Sequence, residues 1–289
     1  MNRLRALLLA ALPHHALSRL TFWLTRRQTR LMRPVMAWFI RSYGVDMSEA
    51  AEPDADAYPT FNAFFTRPLK PGARPLAGTA HTLVSPVDGR VSQAGAIDDG
   101  TLIQAKGHTY SAASLLGSAA AAESFRQGSF ATLYLAPGDY HRIHMPLGGQ
   151  LRHMTHVPGR LFSVAPWTAA TVPGLFTRNE RVCAHFDTDQ GPMALVLVGA
   201  INVAAIETVW ADLVTPPSRN RIQETPDPPA TAPRLERGDE MGRFNMGSTV
   251  IVLSAWHVDW AAHVAPGERV RMGEAMVDPG RDHSGAAAS

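Results

Sequence analysis

Three groups of residues in this chain have the types that acyl and proton chemistry require. Ser248 follows Gly247 in "FNMGSTVIVL", between a charged approach, Glu240 to Asn245, and the apolar run Val250 to Leu253. His141 and His144 stand three apart in "DYHRIHMP", and Asp88 lies in "SPVDGRV". Singly, each has a plain structural reading. Gly-Ser-Thr opens many ordinary strands, and Asp before Gly suits a tight turn, because Asp tolerates left-handed backbone and bonds its own chain. Together they are the parts of an activated hydroxyl: a nucleophile, a base for its proton, and a carboxylate that holds the base in the correct tautomer. The Gly-x-Ser-x-Gly elbow of common hydrolases is absent.

Gly247 has no side chain, so the Ser248 hydroxyl can come close to the carbonyl before it. The nearest electrophile is then the chain's own peptide bond. Attack on the Gly247 carbonyl converts the amide to an ester, and elimination across the serine Cα–Cβ bond releases the N-terminal piece. Hydrolysis of the remaining dehydroalanine leaves a pyruvoyl ketone at residue 248. Such a ketone condenses with a substrate amine and is an electron sink for the departure of carbon dioxide, the role pyridoxal phosphate plays elsewhere. Two other readings stay open on these residues. One is a serine hydrolase using Ser248, His144 and Asp88 on an external ester. The other is a non-catalytic, membrane-tethered lipid-binding β domain. His141 and His144, with His153 and His156 at the same spacing, also raise a zinc site, but no third ligand stands at a familiar spacing and no metal is expected.

The elements around these residues predict an α+β chain that is mainly β. Its 289 residues, 45% hydrophobic and 18% charged, suffice for a large core. Residues 1–50 read as helices broken near Pro13 and Pro34, and residues 59–75 as a Pro-rich connection. From Leu83 onward, short apolar runs between Gly, Pro and Asp read as strands, for example "GSFATLYLAPGDY", "RVCAHFDT" and "STVIVLS". One helical insertion is predicted over Ser111 to Arg126. Residues 215–233 hold six prolines (Pro216, Pro217, Pro226, Pro228, Pro229, Pro233) and read as a surface loop.

Charge is distributed unevenly. The net charge is +2, yet residues 1–45 carry eight arginines (Arg3, Arg5, Arg19, Arg26, Arg27, Arg30, Arg33, Arg41) and no Asp or Glu. With Trp23, Trp38 and Phe39 among them, this suits an anionic membrane surface better than nucleic acid. The longest apolar run there, Ala6 to Leu12, is seven residues, against the roughly 20 that a spanning helix needs. Arg3 and Arg5 before that run imitate a signal peptide, but it is short and basic residues continue beyond it. In-plane amphipathic helices are the expectation. A single cysteine, Cys183, excludes an intrachain disulfide and fits a reducing compartment.

Four segments in order, "YHRIHMP", "GRLFSVAPWTAATVPGLFTRNERV", "AIETVWA" and "FNMGSTVIVL", make the chain resemble the bacterial, membrane-associated phosphatidylserine decarboxylases over about residues 20–276. The resemblance implies a proenzyme that cuts itself between Gly247 and Ser248. Its products are a β chain, 1–247, and an α chain, 248–289, whose first residue becomes the pyruvoyl cofactor. It implies Asp88, His144 and Ser248 as the self-cleavage triad and His141 as the decarboxylation residue, by proton donation or substrate positioning. It also implies Ser163, in "RLFSV", as a substrate contact. The expected architecture is a membrane-associating helical region, 1–70, before a β-sandwich or barrel-like catalytic domain, 71–289, shared by both products. The implied partners are phosphatidylserine, an anionic membrane surface on the cytoplasmic side, and the two fragments as a heterodimer, with a homodimer of these possible. Two departures from the family pattern are visible: Met246 stands where leucine is common, and Ala204 where glycine is expected.

Overall fold

A computed structural model describes residues 14–201, 205–216, 222–224, 232–245 and 248–278. Gly247, Met246 and Ala204 lie outside them. The chain is α+β and mainly β, with helices first and antiparallel sheets after. Helices α1 (His14–Thr25) and α2 (Met32–Tyr43) precede a short α3 (Phe61–Phe65). The helical break expected near Pro34 falls earlier, at residues 26–31. Pro34 instead occupies the first turn of α2, where an absent N–H costs no intrahelical bond. Gly44, in left-handed conformation, closes α2 by donating to the Ile40 carbonyl.

The expected connection over 59–75 contains structure of its own. Thr60 caps α3 by accepting from the Ala63 N–H, and Phe61, Phe64 and Phe65 are buried against Phe39 of α2, ring to ring at 5.2–6.1 Å. Apolar burial at these three positions outweighs the Pro-rich flanks. Among the described residues this aromatic group forms a second, smaller core beside the main one.

The β region comprises β1 (Gly89–Ala96), β2 (Thr101–Ala105), β3 (His108–Ser111), β4 (Ser129–Tyr134), β5 (Arg142–His144), β6 (Gly149–Val157), β7 (Arg181–Thr188), β8 (Gly191–Val198), β9 (Ile206–Thr208), β10 (Asp212–Thr215), β11 (Gln223–Glu224), β12 (Arg234–Leu235), β13 (Glu240–Phe244), β14 (Thr249–Ser254) and β15 (Arg269–Val270). The largest sheet runs β11-β6-β7-β8-β14-β4-β1-β15, with β12 also on β6, and a four-stranded sheet runs β10-β9-β13-β5. Gln223–Glu224 thus form a short edge strand inside the stretch read as loop, while residues 217–221 and 225–231 lie outside the described residues. The insertion read as one helix is two, α4 (Ala112–Leu116) and α5 (Ala119–Ala122), followed by a 3-10 turn, Glu123–Phe125. Gly117 ends the first in left-handed backbone and Ser118 caps the second.

Strand β14 answers the question that Gly-Ser-Thr poses. It lies between β4 and β8, every residue from Thr249 to Ser254 pairs on both sides, and all six are buried. A strand covered on both faces reads as a continuous apolar run. Helices α4 and α5 and the 3-10 turn contribute Leu115, Leu116, Ala122 and Phe125 to the same core.

The histidine pair on β6, His153 and His156, does not converge on one point. Positions three apart on a strand face opposite sides. His153 stacks on His185 of β7 at 4.0 Å, whereas His156 Nε2 lies 3.2 Å from Glu180. Among the described residues no group of three or more His, Cys, Asp or Glu side chains could hold a metal ion.

Buried His185 gives the fold an acid-sensitive point. Burial, then the neighbouring His153, pushes its pKa down to about 3. Above an unfolded value of about 6.5 both states are neutral and the full stability is present. As pH falls below 6.5 the unfolded chain takes the proton first, and stability is lost by about 1.4 kcal/mol per pH unit until pH approaches 3. We expect His185→Phe, which keeps a ring on His153, to flatten the loss between pH 6.5 and 5 by about 2 kcal/mol. Urea unfolding at the two pH values measures this, and equal slopes in both proteins would exclude the residue as the cause.

Candidate active site

The sheet order brings Asp88 and Ser248 to one end of the large sheet. Ser248 immediately precedes β14, Leu135 immediately follows β4, and Asp88 immediately precedes β1. The Leu135 N–H donates to the Ser248 carbonyl at 2.9 Å. With β4 between them, the two outer strands are roughly 10 Å apart, two strand spacings. Gly89 permits this closeness, because a side chain there would begin 2.5 Å from the Tyr134 carbonyl oxygen.

His141 immediately precedes β5, and His144 is its last residue. The His144 N–H donates to the Pro86 carbonyl at 2.9 Å, two residues before Asp88. The His141 carbonyl accepts from Phe244 N–H, four residues before Ser248. Arg142 between them donates to the Thr66 carbonyl at 2.9 Å and to Glu240 Oε2 at 2.7 Å, anchoring the segment to the end of α3 and to β13. Gly138 lets the loop before it approach α2, since a side chain there would begin 2.4 Å from the Tyr43 carbonyl oxygen.

Asp88 acts on His144 electrostatically, but no hydrogen bond joins the side chains of Asp88, His144 and Ser248 to one another. Both carboxylate oxygens of Asp88 are held by Arg74, Nε to Oδ1 at 2.9 Å and Nη2 to Oδ2 at 2.5 Å, and Oδ1 also accepts from Met272 N–H at 2.9 Å. The same Arg74 Nη2 reaches Glu49 at 2.7 Å, and Glu49 also accepts from Arg271 at 3.2 Å. His144 Nδ1 lies 2.8 Å from the Gly238 carbonyl, and Nε2 lies 2.9 Å from the Tyr140 hydroxyl. The group that sets the His144 tautomer is therefore a backbone carbonyl and not the Asp88 carboxylate. Burial lowers the pKa of His144, against an opposing effect of the Gly238 hydrogen bond, and favours the neutral base.

Several buried polar atoms of this region lack partners, as do others elsewhere among the described residues. Ser248 is fully buried, and its hydroxyl makes no hydrogen bond among the described residues. The same is true of the Thr249 hydroxyl, Asn245 Oδ1 and both ring nitrogens of His141. His141 is fully buried and stacks on Phe65 at 4.1 Å. The Ala136 and Pro137 carbonyls lie near its nitrogens without full hydrogen-bond geometry. Burial, reinforced by the charge of Arg67, pushes its pKa down to about 3.

A cavity of about 200 Å³ meets this region through Leu135, whose N–H holds the Ser248 carbonyl, and Phe65, which stacks on His141; Asp88, His141, His144 and Ser248 do not line it. Phe39 and Tyr43 of α2 form one wall, and Tyr134, Leu135, Phe65 and Ser163 are among the others. Ser163, expected at the substrate, therefore lines the cavity, and its hydroxyl accepts from Ala165 N–H at 3.3 Å. No charged side chain lines the cavity. Sequence reasoning missed Tyr140, Gly238, Arg74 and Glu49. Tyr140 was visible as a hydroxyl four residues before His144, whereas the Gly238 carbonyl and the Glu49–Arg74 arm leave no local mark.

Comparison with known proteins identifies the family of the chain. A family model described as phosphatidylserine decarboxylase matches residues 61–278, and a second, described as PSD, matches residues 4–44. The chain is 58% identical to the phosphatidylserine decarboxylase proenzyme of Alkalilimnicola ehrlichii over 255 residues, 88% of each chain. It is 56% identical to that of Pseudomonas fluorescens, covering 92% of this chain and 93% of the relative. It is 53% identical to that of Shewanella halifaxensis, covering 96% and 98%. The chain belongs to the phosphatidylserine decarboxylase family, a family of carboxy-lyases.

Proposed function

We propose that this chain is a self-processing precursor whose mature form converts phosphatidylserine to phosphatidylethanolamine and carbon dioxide with a pyruvoyl group made from Ser248. The observation that carries the reading is Ser248 itself: fully buried, with an unpartnered hydroxyl, at the head of a central strand. A hydrolase acting on external esters would leave the chain whole, an outcome that denaturing gels distinguish.

Maturation begins with the Ser248 hydroxyl proton passing to His144 while Oγ bonds to the Gly247 carbonyl carbon. The amide C–N bond then breaks in favour of an ester. Removal of the serine α-proton expels the Gly247 carboxylate, and water releases ammonia from the dehydroalanine. Asp88, near His144 in the fold, favours the imidazolium that forms in the first step. Cleavage yields chains 1–247 and 248–289, and β14 would keep the shorter chain embedded between β4 and β8.

The residues present suit a pyruvoyl group at position 248. Leu135 N–H holds the carbonyl of that residue, and the buried Ser248 hydroxyl has no hydrogen bond among the described residues that conversion would break. When formed, the group supplies the electron sink for loss of carbon dioxide. His141, with its pKa near 3, is neutral at working pH, which favours positioning the substrate over donating a proton. Ser163 and the apolar cavity wall would take the part of the lipid next to the head group.

The N-terminal helices supply the site with its substrate. Trp23, Trp38, Leu20, Leu31 and Val35 are exposed, and Arg27 lies over the Trp23 ring at 4.1 Å. Among the described residues no helix is long and apolar enough to cross a membrane. Helix α2 both carries exposed Trp38 and walls the cavity with Phe39 and Tyr43. Residues 1–70 would thus rest on the cytoplasmic face of an anionic membrane as a peripheral region, and residues 71–289 would form the decarboxylase domain.

Two sets of measurements test the reading. On denaturing gels, Ser248→Ala, His144→Ala and Asp88→Ala should each remain one full-length chain while the unaltered protein runs as two. His141→Ala should cut normally but lose turnover of phosphatidylserine by about 100-fold or more, the scale of a lost general acid–base or positioning group; failure to cut would overturn the division of roles between the two histidines. In vesicle sedimentation, Trp23→Ala combined with Trp38→Ala should weaken binding to anionic phospholipid on the order of tenfold or more. Undiminished binding would rule out these rings as the anchor.

A further inference from the structure

Both ring nitrogens of His144 are already engaged. A carbonyl only accepts, so the bond to Gly238 places the ring hydrogen on Nδ1 and leaves the Nε2 lone pair to take the Tyr140 O–H. The two rings also stack, with centroids 5.6 Å apart and planes at 28°. Tyr140 is 6% exposed, and burial raises its pKa, so its hydroxyl retains the proton it donates. The Ser248 hydroxyl has no hydrogen-bond partner among the described residues. A base whose lone pair is in use cannot receive the serine proton until that hydrogen bond is given up.

We propose that Tyr140 is a positioning residue that caps the His144 lone pair, so that self-cleavage begins only when the Ser248 O–H replaces the Tyr140 O–H at Nε2. This rests on Ser248 and His144 acting as nucleophile and base. The exchange itself changes no covalent bond: one hydrogen bond to Nε2 breaks and another forms. The Ser248 proton then moves to Nε2 as Oγ bonds to the Gly247 carbonyl carbon and the carbonyl electron pair moves to its oxygen. The resulting imidazolium still donates from Nδ1 to Gly238. The other charged groups acting on the ring are Glu240, paired with Arg142, and Asp88, held by Arg74. Removing the Tyr140 hydroxyl disturbs neither pair.

Tyr140→Phe keeps the stacked ring and deletes only the cap. Full-length chain made by pulsed synthesis and chased at several pH values reports the rate of conversion to two fragments. We expect conversion about two- to tenfold faster than in the unaltered chain, the rate equivalent of one net hydrogen bond. The acid limb of the profile should move to higher pH, because a donor to the neutral ring has been lost. A rate equal to or below that of the unaltered chain, with the limb unmoved, would overturn the cap. An unaltered chain that never cuts would instead overturn the reading of Ser248. If Tyr140→Phe fails to fold, nitrogen NMR of His144 in Ser248→Ala decides. The proposal requires hydrogen on Nδ1 and an accepting Nε2, and hydrogen on Nε2 would overturn it.

Discussion

The rest of the structure depends on the insertion of β14 between β4 and β8. Six consecutive residues paired on both sides and buried on both faces leave the strand no freedom to slide, because a one-residue slip would turn every side chain to the opposite face. Residue 248 is fixed by that register at the end of the sheet, with its carbonyl on the Leu135 N–H. A reactive serine at the tip of a mobile loop would have to be ordered anew for each chemical event. Here the order is supplied by the core, and a chain cut just before residue 248 would keep it.

The electrostatics of the site follow from the same burial. Taking His141 and His144 out of water favours their neutral forms, suited to accepting and orienting hydrogen bonds at neutral pH. Asp88 keeps its place at low exposure because Arg74 meets it with two hydrogen bonds and Met272 adds a third. That cluster joins three distant parts of the sequence: Glu49 beyond the N-terminal helices, Arg74 and Asp88 at the entry to the sheets, and Arg271 and Met272 near the end. Helix α2 is tied to the site as well, through Gly138 and through the cavity wall at Phe39 and Tyr43. The helix with exposed Trp38 and Val35 and the loop before β5 are thus in direct contact.

Much of this was legible in the sequence because the signals are local. Val250 to Leu253 announce a strand, whereas Gly247-Ser248 before them reads as an ordinary strand opening alone and points to chemistry only with the histidines and Asp88. The strands from Ser129, Arg181 and Gly191 could be read from apolar runs between turn residues. What was not legible depends on residues distant in sequence. The helix Phe61–Phe65 forms because three phenylalanines find Phe39, which overrides a Pro-rich context. The break in the 111–126 insertion turns on one left-handed glycine, Gly117. The hydrogen-bond partners of Asp88 and His144 were least legible of all. Gly238 contributes a carbonyl that any residue has, and Arg74 reaches Asp88 only after the chain has closed.

The central claim is that this polypeptide consumes one of its own peptide bonds to make its reagent. Intact-mass measurement of freshly purified, denatured protein addresses it directly. The account predicts two species meeting at residues 247 and 248, with the smaller carrying a pyruvoyl mass in place of its first serine and no free amino terminus. A single species with the full mass of the translated chain and an unchanged Ser248 would contradict it.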